Sequence, residues 1–184
     1  MMTNKLVKTA YWKSQELVTI GIFAAAIKLS SLLIALAGGG MNPVSLMLKN
    51  LVFSALLIVL LARVRKSGVL VVFTLVSTIV SALLLGSSIT LLPAAIVGAL
   101  CAEVGILMVG GAKKAWSPFV GVALYDLASK VFSLGVSYLM MRETPAMLVS
   151  VIPIIAIGYI GSLMGLYAGY RSLRELRHAG IVRS

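Results

Sequence analysis

Residues 89–114 read ITLLPAAIVGALCAEVGILMVGGAKK, an apolar run with a single carboxylate, Glu103, near its middle and Lys113 and Lys114 at its end. An ionised carboxylate at bilayer depth costs roughly 2.5–3.5 kcal/mol on insertion scales, so Glu103 has to face other protein or a wet cavity rather than lipid. The run therefore predicts one helix of a bundle, with Glu103 as a buried charge turned inward and the rest of the chain as the wall around it.

The whole chain supports that setting. Over 184 residues it is 60% hydrophobic and 11% charged, far from the soluble average of about 45–50% apolar and about 25% charged. The expected fold class is an all-α integral membrane protein, a single membrane domain over 1–184. A net charge of +11 would suit nucleic acid, but the basic residues fall in short clusters between apolar spans, which marks membrane topology instead. Cys101 is the only cysteine, so one chain can form no disulfide framework or thiolate metal site. Residues 1–15 carry lysines but no short apolar core with a small-residue cleavage site. They read as a cytoplasmic segment rather than a cleaved signal peptide.

A bilayer core of about 30 Å needs roughly 20 apolar residues per helix, and six stretches qualify: 16–37, 43–62, 68–86, 90–110, 117–141 and 146–170. Glycine, proline and charged breakers separate them. Lys5, Lys8, Lys13, Arg63, Arg65, Lys66, Lys113, Lys114, Arg171, Arg174, Arg177 and Arg183 fall on one side, and Arg142 alone on the other. The positive-inside bias then predicts six crossings with both termini cytoplasmic. The tail, 171–184, reads as a basic helical extension at the cytoplasmic surface, near anionic membrane lipid.

Lys28, Lys49, Lys130, Glu103 and Asp126 are left inside the spans. The three lysines fall in the outer half and the two carboxylates near or below the middle. Asp126 and Lys130 stand i, i+4 on one helical face and can pair, which leaves Glu103 to Lys28 or Lys49. One outcome is internal pairing throughout, with Lys49 snorkelling outward. The other is an outward-facing cavity in which a lysine stays unpaired to meet a carboxylate or phosphate on a small-molecule substrate. Asn42, Ser45, Ser87, Ser88, Tyr138 and Tyr159 are the polar and aromatic residues placed to complete such a pocket. The substrate-binding candidates are thus Lys28, Asn42, Lys49, Ser87, Asp126, Lys130 and Tyr159.

Several chemistries are excluded. His178, the only histidine, lies in the tail, so no intramembrane His-based metal cluster or Ser-His dyad can form. No phosphate-binding G-x-x-x-x-G-K-[ST] loop occurs. No catalytic residue, metal or cofactor is expected, and binding or transport is the default. Small residues at helix-packing spacing, Gly21 with Ala25, Gly98 with Ala102, and Gly158, Gly161, Ser162 and Gly165 on the last span, let backbones approach closely.

Three features carry a family resemblance: the first-span opening Gln15-Glu16-Leu17-Val18-Thr19-Ile20-Gly21-Ile22-Phe23-Ala24-Ala25, the fourth-span run Gly98-Ala99-Leu100-Cys101-Ala102-Glu103 leading to Gly110-Gly111-Ala112-Lys113-Lys114, and the tail His178-Ala179-Gly180-Ile181. With six short helices, they make the chain resemble the substrate-binding S component of an energy-coupling factor (ECF) transporter, most closely the Trep_Strep or MptD-like set. The resemblance implies capture of a vitamin or other scarce nutrient from outside. The loaded subunit would then dock on an ECF T component driven by two ATP-binding subunits. It also implies a partner-docking patch of small residues on the first helix, here Gly21 and Ala25, with glycine where the family has alanine. The substrate pocket would open outward, bounded by the loops 38–42, 86–90 and 142–145. The glycine triplet Gly38-Gly39-Gly40 suits a mobile lid or a tight turn equally.

Two other functions fit the residues. A small autonomous transporter or channel would use Glu103 and Asp126 as carriers across the midplane. A scaffold without ligand would explain the small-residue faces, but not five embedded charges.

Overall fold

The computed structural model describes residues 11–38, 42–85, 92–112, 114–140 and 145–178. They form six helices: α1 (Ser14–Gly38), α2 (Pro43–Arg63), α3 (Val69–Leu85), α4 (Leu92–Met108), α5 (Ser117–Met140) and α6 (Pro145–His178). Segments within α1, α2, α5 and α6 are long and apolar enough to cross a membrane, so the chain is a helical membrane protein. Helices α3 and α4 have 17 residues each, about 25 Å at 1.5 Å per residue, at the lower edge of spanning length. Ser87, Ser88, Arg142 and the 86–90 loop lie outside the described residues, as do most of the 38–42 and 142–145 loops and the tail residues 179–184.

Local chemistry sets the ends. Asn42 caps α2, its Oδ1 accepting from Val44 N at 3.1 Å, and Pro43 follows at a position where a missing N–H costs nothing. Helix α4 stops short of the expected residue 110. Gly110 and Gly111 have φ of +109° and +89°, and their amides return to Leu107 O at 3.0 Å and Ile106 O at 2.9 Å. That pair of bonds closes the last turn around left-handed residues, which only glycine enters without strain. Glu103 consequently sits five residues from the end of α4 rather than at its centre.

Glu103 is buried, as expected of it, but its partner is neither Lys28 nor Lys49. Its Oε1 accepts the Leu70 amide at 2.9 Å and its Oε2 faces Ser67 Oγ at 3.5 Å. Leu70 is the second residue of α3, and the first four amides of a helix have no partner within it. The carboxylate of α4 thus caps α3, where the positive end of the helix dipole also favours it. A lysine was the obvious counter-charge on sequence grounds; a helix start supplies both the donor and the field.

Close backbone approach joins the longest helix to its neighbour. A Cβ built on Gly161 would lie 2.6 Å from Met47 O, and one on Gly165 would lie 2.5 Å from Leu51 O and 2.8 Å from the Ser54 side chain. Helices α4 and α5 meet in the same way, with Gly98 against Ser129, Gly105 against Leu124, and Gly121 against Ile106. Ile20, Leu57, Leu60, Phe73 and Val122 fill the centre. Around Gly21, by contrast, nothing stands within 4 Å of an added Cβ.

The start of α1, the ends of α2 and α4, the starts of α3 and α5 and the end of α6 share one end of the bundle. Lys66 ties it together, donating to Tyr11 O and Glu16 Oε2, each at 2.6 Å, with its ammonium over the Tyr11 and Trp12 rings. Among the described residues, Lys13, Arg63, Arg65, Lys114, Arg171 and Arg174 also belong to this end.

Substituting Gly165→Leu should force α2 and α6 apart and cost about 2–3 kcal/mol of stability, read as a fall in the thermal unfolding midpoint in detergent. Gly21→Leu, with open space around it, should leave that midpoint unchanged.

Candidate functional site

Helix α5 gathers most of its polar residues on one side. Tyr125, Asp126, Ser129, Lys130, Ser133 and Ser137 recur at spacings of three and four, which stacks them along one face. Together with Asn50 and Phe53 of α2 and Ile155 of α6, that face lines a cavity of about 390 Å³. It extends from the middle of the bundle toward the end away from the basic residues: Phe53 and Tyr125 lie near the midpoints of α2 and α5, whereas Ser137 is three residues from the far end of α5.

The ion pair anchors the wall. Lys130 Nζ stands 2.6 Å from Asp126 Oδ2, donates to Ser162 Oγ of α6 at 3.3 Å, and lies 5.7 Å from the centre of the Tyr159 ring. An ammonium has three N–H donors and no acceptor; here a carboxylate, a hydroxyl and an aromatic face take up its three directions. Gly158 lies at the crossing to α6: a Cβ there would lie 3.1 Å from Asn50 Nδ2, a tight contact, and 3.7 Å from Lys130 Nζ, an ordinary one. Asn50 is fixed by donation from Nδ2 to Leu46 O at 2.9 Å.

Behind the cavity, the Tyr125 hydroxyl meets Thr74 Oγ1 at 3.0 Å. Thr74 spends its own hydrogen on Leu70 O at 2.8 Å, so Tyr125 is the donor. Leu70 in turn donates its amide to Glu103. One chain of polar contacts therefore runs from the cavity wall on α5, through the first turns of α3, to the buried carboxylate of α4. The Phe53 and Tyr125 rings stack at 6.0 Å with planes 24° apart, giving the wall a flat aromatic section.

Of the residues singled out from sequence, Asp126 and Lys130 line the cavity and Tyr159 stands over Lys130. Lys28 and Lys49, half-buried on α1 and α2, do not line it, nor does Asn42, an exposed cap at the start of α2. Ser45 is buried between α1 and α2 beside a separate apolar cleft, and Tyr138 is exposed. Asn50, Phe53, Tyr125, Ser129, Ser133 and Ser137 were not foreseen. The four-residue spacing of Tyr125, Ser129, Ser133 and Ser137 was the available signal. The lysine excess that suggested an anionic ligand does not reach the cavity: its one lining lysine is already balanced by Asp126.

The arrangement is suited to binding. Formal charge over the lining residues sums to zero, and hydroxyl and amide groups alternate with apolar and aromatic surface, the composition of a small-molecule site. Among the described residues no group of three His, Cys, Asp or Glu side chains is placed to hold a metal ion. Glu103 and Asp126 are held by different partners, a helix amide and a lysine. Compared with known proteins, the chain matches no family model, no curated protein and no solved structure.

Removing one member of the pair should cost far more than removing both. Lys130→Met strands the Asp126 charge and should destabilise by about 3–5 kcal/mol, while Asp126→Asn with Lys130→Met should recover most of it. A double-mutant cycle on unfolding in detergent measures the coupling; additive single effects would show that the pair is not a unit.

Proposed function

We propose that this chain is the substrate-binding membrane subunit, the S component, of an ATP-driven ECF-type importer for a vitamin or similar small nutrient. All six helices cross the cell membrane in this reading and both termini are cytoplasmic. The concentration of basic residues at one end supports that orientation, and α3 and α4 fall within the range of short spans. The observation that carries the reading is the cavity between α2, α5 and α6. It is polar on one wall, aromatic on another, and displaced toward the end with few basic residues, where a nutrient would enter from outside.

The ligand in this reading has no net charge. Lys130 is balanced by Asp126, so a net anion would place an uncompensated charge at bilayer depth. Neutral polar groups would instead meet the serine row and Asn50.

The partners are an ECF T component and two ATP-binding subunits, docked on the α1 face that carries Gly21 and Ala25. Support comes from the open space around Gly21, whereas Gly98, Gly161 and Gly165 are all used inside the bundle. Autonomous transport through Glu103 and Asp126 has less support, since each carboxylate already has a fixed partner.

Affinity purification of the tagged chain from its own membranes in mild detergent tests the assignment. A second polytopic protein and two ATP-binding subunits should co-purify, and Gly21→Leu with Ala25→Leu should abolish that without lowering the unfolding midpoint. Repeated recovery of the chain alone would overturn the importer reading.

A further inference from the structure

A second cavity, of about 350 Å³, lies at the basic end between the start of α5 and the end of α6. Trp116, Phe119, Tyr170 and Leu173 form its walls, and Arg174 and His178 stand at its rim. The rings are arranged as a continuous surface: Trp116 meets Phe119 edge-on at 6.1 Å, and Phe119 meets Tyr170 at 5.7 Å. Two of those rings are nonetheless open, with Trp116 73% and Tyr170 54% exposed.

The cavity straddles the level at which the apolar segments stop. The apolar segment of α5 begins at Ser117, immediately after Trp116, and that of α6 ends at Glu175, immediately after Arg174. Exposed Trp and Tyr at that level sit among lipid headgroups, where an amphipathic ring keeps one edge wet and its face apolar. Arg171 is engaged by Glu175 at 3.7 Å, whereas among the described residues neither Arg174 nor His178 pairs with a carboxylate.

We propose that this cavity is a binding site for an anionic phospholipid, with the headgroup phosphate at Arg174 and His178 and the glycerol and first acyl carbons along Trp116, Phe119 and Tyr170. An arginine fork suits phosphate oxygens, and a basic pocket between helices at a membrane surface favours an anionic headgroup. The lining contains no carboxylate to meet the ammonium of a zwitterionic lipid. The apolar walls require the lipid itself, since free phosphate would leave the aromatic surface uncovered. The site does not depend on the importer assignment, because it uses neither the α2–α5–α6 cavity nor the α1 face.

Native mass spectrometry of the full chain, released from micelles containing equimolar phosphatidylglycerol and phosphatidylcholine, tests the proposal. The unaltered chain should retain phosphatidylglycerol over phosphatidylcholine by about fivefold or more, the worth of one favourable basic contact at a membrane surface. Arg174→Gln with His178→Gln should erase the preference. Arg174→Lys should keep most of it, and Arg171→Gln, outside the cavity, should leave it intact. Millimolar glycerol phosphate should not displace the lipid. Equal retention of the two lipids, a preference that survives the double substitution, an equal loss on Arg171→Gln, or displacement by glycerol phosphate would each overturn the proposal.

Discussion

A carboxylate removed from water must find its donors inside the protein, and the two buried carboxylates among the described residues do so in different ways. Asp126 takes the ammonium of Lys130 one turn along its own helix. Glu103 takes a helix start, accepting the Leu70 amide. Both solutions fix helices relative to each other: the first reaches α6 through Ser162, and the second locks α4 to α3. The polar contacts from Tyr125 through Thr74 to Leu70 join the two arrangements, so the wall of the α5 cavity is braced by the group that caps α3.

That bracing matters because association in lipid lacks the hydrophobic drive that holds soluble cores together and depends on close packing and internal polar contacts. Gly161 and Gly165 bring α6 onto the α2 backbone, and Gly98 brings α4 onto α5. Between these two tight seams, α2, α5 and α6 leave the cavity that contains the ion pair. A site of this kind is pre-formed, since the ammonium position is determined by Asp126, Ser162 and Tyr159 together rather than by one flexible side chain.

Much of the architecture was legible in the sequence. The expected spans 16–37, 43–62 and 117–141 differ from α1, α2 and α5 by two residues or fewer at each end, because apolar runs bounded by glycine, proline and charge leave little choice. The i, i+4 spacing of Asp126 and Lys130 likewise allowed the pairing that the structure shows. The partner of Glu103 was not legible: an amide on α3 has no sequence signature as an acceptor's target, whereas a lysine does. The serine row on α5 was visible but easily passed over. Serine and threonine in helices ordinarily bond back to the carbonyl four residues earlier, as Thr78 and Ser81 do on α3, so a single serine carries no signal. Only its repetition at four-residue spacing beside Asp126 and Lys130 does.

The proposed function requires the α2–α5–α6 cavity to open at the face opposite the basic end. Single cysteines at Ser137 and Ser129, introduced on a Cys101→Ser background, can be challenged with a membrane-impermeant maleimide in right-side-out and inverted vesicles. The account predicts labelling of Ser137→Cys from the outside only, with slower labelling of the deeper Ser129→Cys. Labelling of Ser137→Cys solely from the face that carries Lys66 and Arg174 would contradict it.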